Sequence, residues 1–258
     1  MTNPKHTLSY GDLNVTIFET EAALGQSAAA KFATDVNAAI SDRGSANAII
    51  ATGNSQLAFF DALRARTDID WASINIFHMD EYVGMSEGHS ASFRGFAKRE
   101  IVEPLGVKAF FGIEGDAADS EKAAKDYTAL LEQYPPDICC MGIGENGHIA
   151  FNDPPFAKFF DPEMVKIVEL DEVSRRQQVG EGHFPSLEET PKAAISLTIP
   201  MLLLAPSLLV IVPEKRKAAA VKRALEGDIS EDCPASILRK TSKATLFLDQ
   251  DSASELNF

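Results

Sequence analysis

Short apolar runs recur along this chain at intervals that leave room for a helix between one run and the next. They predict strands at Leu13–Phe18, Asn47–Thr52, Ile74–His78, Ile138–Gly142, Val165–Leu170, Ala193–Thr198, Leu208–Val212 and Thr245–Leu248. Several lack polar/apolar alternation. Strands covered on both faces look like that, so the sheet is expected to be mainly parallel. Between the runs, helical patterning predicts helices at Glu21–Ile40, Gln56–Arg66, Ser90–Glu103, Ser120–Gln133 and Lys215–Leu225, the last closed by Gly227 and Asp228. Strand–helix alternation of this kind points to an α/β fold, doubly wound, with helices on both faces of the sheet.

Residues 154–190 break the rhythm. They hold PPFAKFFDPE, a charged DEVSRRQQ and then GEGHFPSLEE. The mix of Pro, Gly, aromatic and charged residues reads as an excursion from the sheet, either a lid or a plain surface loop. No internal repeat, low-complexity tract or long linker divides the chain, so 1–258 is read as one domain that carries this excursion.

Composition narrows the function classes. With 38 acidic and 24 basic residues in 258, the net charge is −14. Nucleic-acid binding is not expected, because it needs basic stripes to meet phosphates. A small anionic ligand is still compatible, since a few local cations can dominate a cleft. The longest apolar run, Ile199–Val212, is interrupted by Pro200 and Pro206 and is too short for a membrane span. The N-terminus shows no secretory pattern. Cys139, Cys140 and Cys233 read as reduced, buried thiols of a cytoplasmic protein.

Ligands of open α/β sheets bind beyond the C-terminal strand ends, and three such places carry candidate chemistry. After the first helix-flanked strand comes Thr52-Gly53-Asn54-Ser55, whose free N–H groups and hydroxyls suit an anion. A plain turn with Ser55 as helix cap is the competing reading. After Ile74–His78 comes Asp80-Glu81, and a carboxylate in a semi-apolar cleft can serve as a general base. His78 and Asp80 share one side of an extended chain, but no further ligands suggest a metal. After Ile138–Gly142 comes GIGENGHIAFNDP, with His148 in a glycine-rich setting where it could shuttle protons. Cationic candidates are Lys166, Arg175, Arg176, Lys215, Arg216 and Lys217.

Taken together and in this order, FHMDEYVG, GIGENGHIAFNDP, ATGNS, AISLTIP and VPEKRKAAAVKRALEG resemble the glucosamine-6-phosphate deaminase (isomerase) family. The resemblance covers nearly the whole chain. It implies a Rossmann-like fold shared with sugar-phosphate isomerases and 6-phosphogluconolactonases. It also implies conversion of an amino-sugar phosphate to fructose 6-phosphate and ammonia without metal or redox cofactor. Asp80 would then move the proton from C2 to C1, with Glu81 beside it. His148 would open the pyranose ring, supported by Asp153 where the family has Glu and by Asn146 where it has Asp. Thr52, Gly53, Asn54, Ser55, Gly147, Lys217 and Arg176 would hold the sugar phosphate. The alternatives are a 6-phosphogluconolactonase-type hydrolase, against which Tyr82 and Ile149 speak, and a non-catalytic sugar-phosphate sensor, motivated by Asn146. Asn before Gly-His also resembles the galactosamine-6-phosphate branch, which leaves the sugar epimer open. A symmetric homo-oligomer is the default assembly.

Overall fold

The computed structural model describes residues 3–154, 156–180 and 182–258, without the side chains of Ser174 and Gln177. Pro155 and Glu181 of the expected excursion lie outside the described residues. The chain opens with β1 (His6–Tyr10) and β2 (Leu13–Phe18), followed by α1 (Glu21–Arg43), β3 (Ala46–Ile50) and α2 (Leu57–Arg64). Next come β4 (Ile74–His78), β5 (Asp80–Tyr82), α3 (Phe93–Ala97), α4 (Glu103–Leu105) and β6 (Ala109–Phe111). Then follow α5 (Ser120–Gln133), β7 (Ile138–Met141), β8 (Val165–Glu169), α6 (Glu172–Gly180) and β9 (Ala193–Leu197). The chain closes with α7 (Ile199–Leu202), β10 (Ser207–Val212), α8 (Ala218–Glu226) and β11 (Ala244–Asp249).

The main sheet has eight strands in the order β1-β2-β11-β10-β7-β3-β4-β6. Every pairing is parallel except β1 with β2. The unbroken apolar runs follow from burial on both faces. Leu208, Val210 and Val212 of β10 face one core, which α5 and α8 cover with Tyr127, Leu131, Val221 and Leu225. Leu209 and Ile211 face the other, covered by Leu24, Phe32 and Val36 of α1 and Phe59 and Leu63 of α2. Adjacent Cys139 and Cys140 therefore point into opposite cores. Both are free thiols, and burial raises their pKa. α1 starts at Thr20, whose side chain accepts from Ala23 N, and ends on left-handed Gly44.

Three expectations need correction. Val165–Leu170 and Ala193–Thr198 do not join the main sheet. They form β8 and β9 of a separate antiparallel sheet, β5-β9-β8. Their apolar character comes from packing between this small sheet and the main core, with Val165, Ile195 and Leu197 all in that cluster. The helix expected over Ser90–Glu103 is broken into α3, a π-turn at Lys98–Val102 and α4. It begins only after Ser92, which caps α3 by accepting from Gly95 N. The sequence reading also missed β1, β5 and β6, which are short or lie at an edge. Residues 154–190 leave the main sheet as expected, and besides the strand β8 they carry the helix α6, which was not expected. The run Ile199–Val212 is split between α7 and β10, and among the described residues no helix is long and apolar enough to cross a membrane.

Candidate active site

Four neighbouring strands of the sheet, β10, β7, β3 and β4, end on the same side and deliver their loops to one pocket. The pocket is lined by Thr52, Gly53, Asn54 and Ser55 after β3, and by Asp80 after β4. Gly144 and His148 come from the loop after β7, and Arg216 and Lys217 from the segment after β10. This is the ligand position expected for an open parallel sheet.

Asp80 sits at the junction of the two sheets, because β4 passes into β5 through Met79 alone. The Tyr127 hydroxyl fixes the end of β4: it accepts from His78 N at 3.1 Å and donates to His78 O at 2.8 Å. Asp80 itself is 7% exposed. Burial pushes its carboxyl up to about 8, with the charges of Glu81 and Asp153 adding to the effect. A carboxyl tuned close to neutrality can both take and return a proton.

Glu81 was expected beside Asp80 in the chemistry, and the structure places it elsewhere. Successive residues of an extended strand face opposite sides, so Glu81 points away from the pocket and towards the start of α3. One carboxylate oxygen accepts from Ser92 Oγ (2.7 Å) and Arg94 N (2.8 Å), the other from Tyr82 N (3.0 Å) and Phe93 N (3.2 Å). Burial raises its pKa, and these hydrogen bonds oppose the rise. His78 is likewise turned inward, and its Nε2 accepts from Ile113 N at 2.7 Å. Burial, then the Arg94 charge, lowers its pKa to about 3. It stays neutral and its Nε2 is committed. Among the described residues no cluster of three or more His, Cys, Asp or Glu could hold a metal ion.

The histidine loop is built as a closed hydrogen-bonded unit. His148 Nδ1 and Asp153 Oδ1 are 2.7 Å apart. Asn146 Nδ2 donates to the same Asp153 oxygen at 2.8 Å, and Asn146 Oδ1 accepts from His148 N at 3.0 Å. Gly144 lies under the imidazole, where a Cβ would come within 2.1 Å of the ring. Only glycine permits that stacking. Asn152 pins the loop to β9 by donating to Ile149 O (2.8 Å) and Leu197 O (2.9 Å). Gly147, expected to bind substrate, is not among the lining residues. Its N–H donates to Gly144 O and its carbonyl accepts from Ala235 N, so it shapes the loop instead.

In the turn after β3, Gly53 has φ 114°, a value that side-chain-bearing residues rarely adopt. Ser55 caps no helix; its Oγ accepts from Gln56 Nε2 at 3.1 Å. Of the six cationic candidates, Arg216 and Lys217 line the pocket, and Lys217 is 5% exposed. Arg216 is also held by Glu214 (2.8 Å). The expectation for Arg176 is corrected: it lies exposed on α6, 2.9 Å from Glu172 one helical turn back, and does not line the pocket. A residue or two of register on a helix decides this, since a shift of two turns the side chain by about 200°. Lys166 pairs with Asp161 at 2.6 Å, and Arg175 donates to Thr190 O and Pro191 O. The excursion contributes two residues the sequence reading did not single out, Gln178 and His183. The GEGHF segment that contains His183 was the available signal.

Residues 19–247 match the family described as glucosamine-6-phosphate isomerases/6-phosphogluconolactonase. The chain belongs to this family. A glucosamine-6-phosphate deaminase of Bacillus cytotoxicus is 32% identical over 244 residues, covering 94% of this chain and 88% of the relative. One from Streptococcus thermophilus is 34% identical over 207 residues, covering 80% of this chain and 86% of the relative. Among solved structures, a monomeric glucosamine-6-phosphate deaminase superposes with a TM-score of 0.84 at 29% identity, covering 93% of this chain and 98% of that one. A 6-phosphogluconolactonase from Shewanella baltica gives 0.75 at 19% identity, covering 95% and 98%, which is a likeness of fold.

Proposed function

We propose that this protein converts glucosamine 6-phosphate and water to fructose 6-phosphate and ammonia. One observation carries the reading: a buried carboxyl tuned to about 8 and a carboxylate-paired histidine open onto the same pocket as a strand–helix turn flanked by Lys217. In this reading His148 moves a proton to the ring oxygen and opens the pyranose, with Asp153 balancing the imidazolium. Asp80 takes the C2 proton of the open chain and returns it at C1. The resulting C2 imine is hydrolysed, and ammonia leaves with the nitrogen. The Thr52–Ser55 turn, Lys217 and Arg216 hold the phosphate, which positions the reacting carbons against Asp80. Gln178 and His183 of the 154–190 excursion line the pocket, which supports its reading as a lid.

Ammonia release from glucosamine 6-phosphate tests the proposal, with galactosamine 6-phosphate and 6-phosphogluconolactone as parallel substrates. Turnover of the first or second with loss in Asp80→Asn supports a deaminase and names the epimer. Acid release from the lactone alone would replace it with the hydrolase reading. The relatives' metabolic role and the three buried, free thiols support a cytoplasmic setting. A symmetric homo-oligomer is the default assembly for such an enzyme, while the monomeric relative stands against it. Light scattering on the eluting protein reads the state directly.

A further inference from the structure

The proposed phosphate site is assembled from two pieces of chain that no backbone ladder joins. The Gly53–Ser55 turn follows β3, and the Arg216–Lys217 segment follows β10. In the sheet β7 lies between these strands: its last pair with β3 is Cys140↔Ile50, at the end of β3, and its last pair with β10 is Met141↔Val210, two residues before β10 ends. Past Met141 no strand pairing links β10 to the turn that follows β3.

Gln56 links the two. Its side-chain amide donates to Ser55 Oγ at 3.1 Å and to Ile211 O of β10 at 3.2 Å. The residue is 1% exposed. Gly142, the residue after β7, lies beside the amide: a Cβ there would sit 3.4 Å from Gln56 Nε2, an ordinary contact. The Gln56 carbonyl oxygen is buried without a hydrogen-bond partner. Leaving a buried acceptor unused is unfavourable, and an apolar side chain of similar size would avoid the loss. The amide's contacts are thus made through its donor end, which ties one half of the site to the other.

We propose that Gln56 is a positioning residue for the anion site: its amide sets the separation between the Gly53–Ser55 turn and the Arg216–Lys217 segment, and so the affinity for the substrate's phosphate. The inference rests on the phosphate-site reading given above. It places no role on Gln56 in proton transfer, since Asp80 and the His148–Asp153 pair are held by other contacts.

The test uses the full chain with Gln56→Met, which keeps volume and loses the donor, and Gln56→Asn, which keeps the amide but shortens its reach. Binding of inorganic phosphate is measured by calorimetry, and kcat and KM for glucosamine 6-phosphate are measured across pH. The expected result in either variant is phosphate affinity weakened about tenfold and KM raised to match, the scale of one lost hydrogen bond. kcat and its pH profile should stay close to wild type. If Gln56→Met does not fold, Gln56→Asn carries the same expectation. Wild-type phosphate affinity in a folded variant would overturn the proposal and leave Gln56 a packing residue. A fall in kcat with a moved pH profile would also overturn it. Wild-type protein that binds phosphate but releases no ammonia defeats the deaminase reading alone, because the calorimetric comparison still decides the role of Gln56. Wild-type protein that binds no phosphate defeats this inference.

Discussion

His148 Nδ1 lies 2.7 Å from Asp153 Oδ1, and that same oxygen accepts the Asn146 amide at 2.8 Å. In the proposed ring opening the charge that balances an imidazolium would therefore sit on Asp153, with the Asn146 amide orienting that carboxylate. Asp153 is also one of the negative neighbours that hold the Asp80 carboxyl up. Asp153→Asn should accordingly do two separable things. It should lower kcat by about 10²-fold, the scale of a general acid–base contribution. It should also move the rising limb of kcat/KM to lower pH, because removing a nearby negative charge lowers the pKa of Asp80. pH–rate profiles of the two proteins check both; an unmoved limb would mean the two carboxylates do not communicate.

Asp80→Asn is expected to abolish turnover, by more than about 10²-fold, since among the described residues no other carboxylate lines the pocket to replace the base. The same substitution has a stability signature. The ordinary value for Asp is 3.8, and here burial raises it to about 8. The folded state thus binds a proton that the unfolded state has released, and stability is lost as pH rises between those values. Asp80→Asn carries no such proton. Its melting temperature relative to wild type should be flat below the lower value, climb through neutral pH and level off above the upper one. Parallel melting curves at all pH values would show that Asp80 is solvated and ordinary.

Lys217 and Arg176 were both expected at the phosphate, and the structure separates them. Lys217 is buried in the pocket wall, while Arg176 pairs with Glu172 on the open face of α6. Lys217→Ala should raise KM by about 10–100-fold, as loss of a charge-assisted contact does. Arg176→Ala should leave KM within about twofold, the scale of a surface ion pair. Arg216→Ala should fall between them, because Glu214 and Glu145 already share its charge. Steady-state kinetics of the three variants decide the order.

Much of this was legible in the chain because parallel-sheet physics is repetitive. Runs such as LLVIV and ICCM announce burial on both faces, and the loops after them announce where a ligand goes. Asp80, His148, Lys217 and the Thr52–Ser55 turn each lie in the segment that follows such a run, so strand ends point to their place at the pocket. Arg176 and Glu81 fail for a shared reason: their placement depends on orientation within an element rather than on position along the chain. A helix phase decides the first, and strand alternation the second. The antiparallel sheet of β5, β8 and β9 was illegible for another reason. β8 and β9 pack between the main core and a second apolar cluster around Tyr82, Phe151 and Phe184, and burial on both faces leaves the same apolar runs as burial between helices. Gln178 and His183 reach the pocket only through the path of the 154–190 excursion, which no local pattern encodes.

Glu81 gives the sharpest contrast between a residue in the chemistry and one beside it. Its carboxylate is fully buried and accepts from Ser92 Oγ and from the backbone N–H groups of Tyr82, Phe93 and Arg94. It thus serves the first turn of α3, where N–H groups lack helical partners. Glu81→Ala would strand several buried donors at once and should destabilise the fold by ~2–4 kcal/mol, read as a lower midpoint in urea. Glu81→Gln keeps the shape but turns an N–H pair towards donors, so it should destabilise as well, by a smaller amount. In both, the plateau kcat at high pH should stay within about threefold of wild type, because that plateau needs only ionised Asp80. The rising limb should shift to lower pH, since the Glu81 charge helps to raise the Asp80 pKa. A kcat loss on the scale of Asp80→Asn, with stability intact, would return Glu81 to the catalytic machinery.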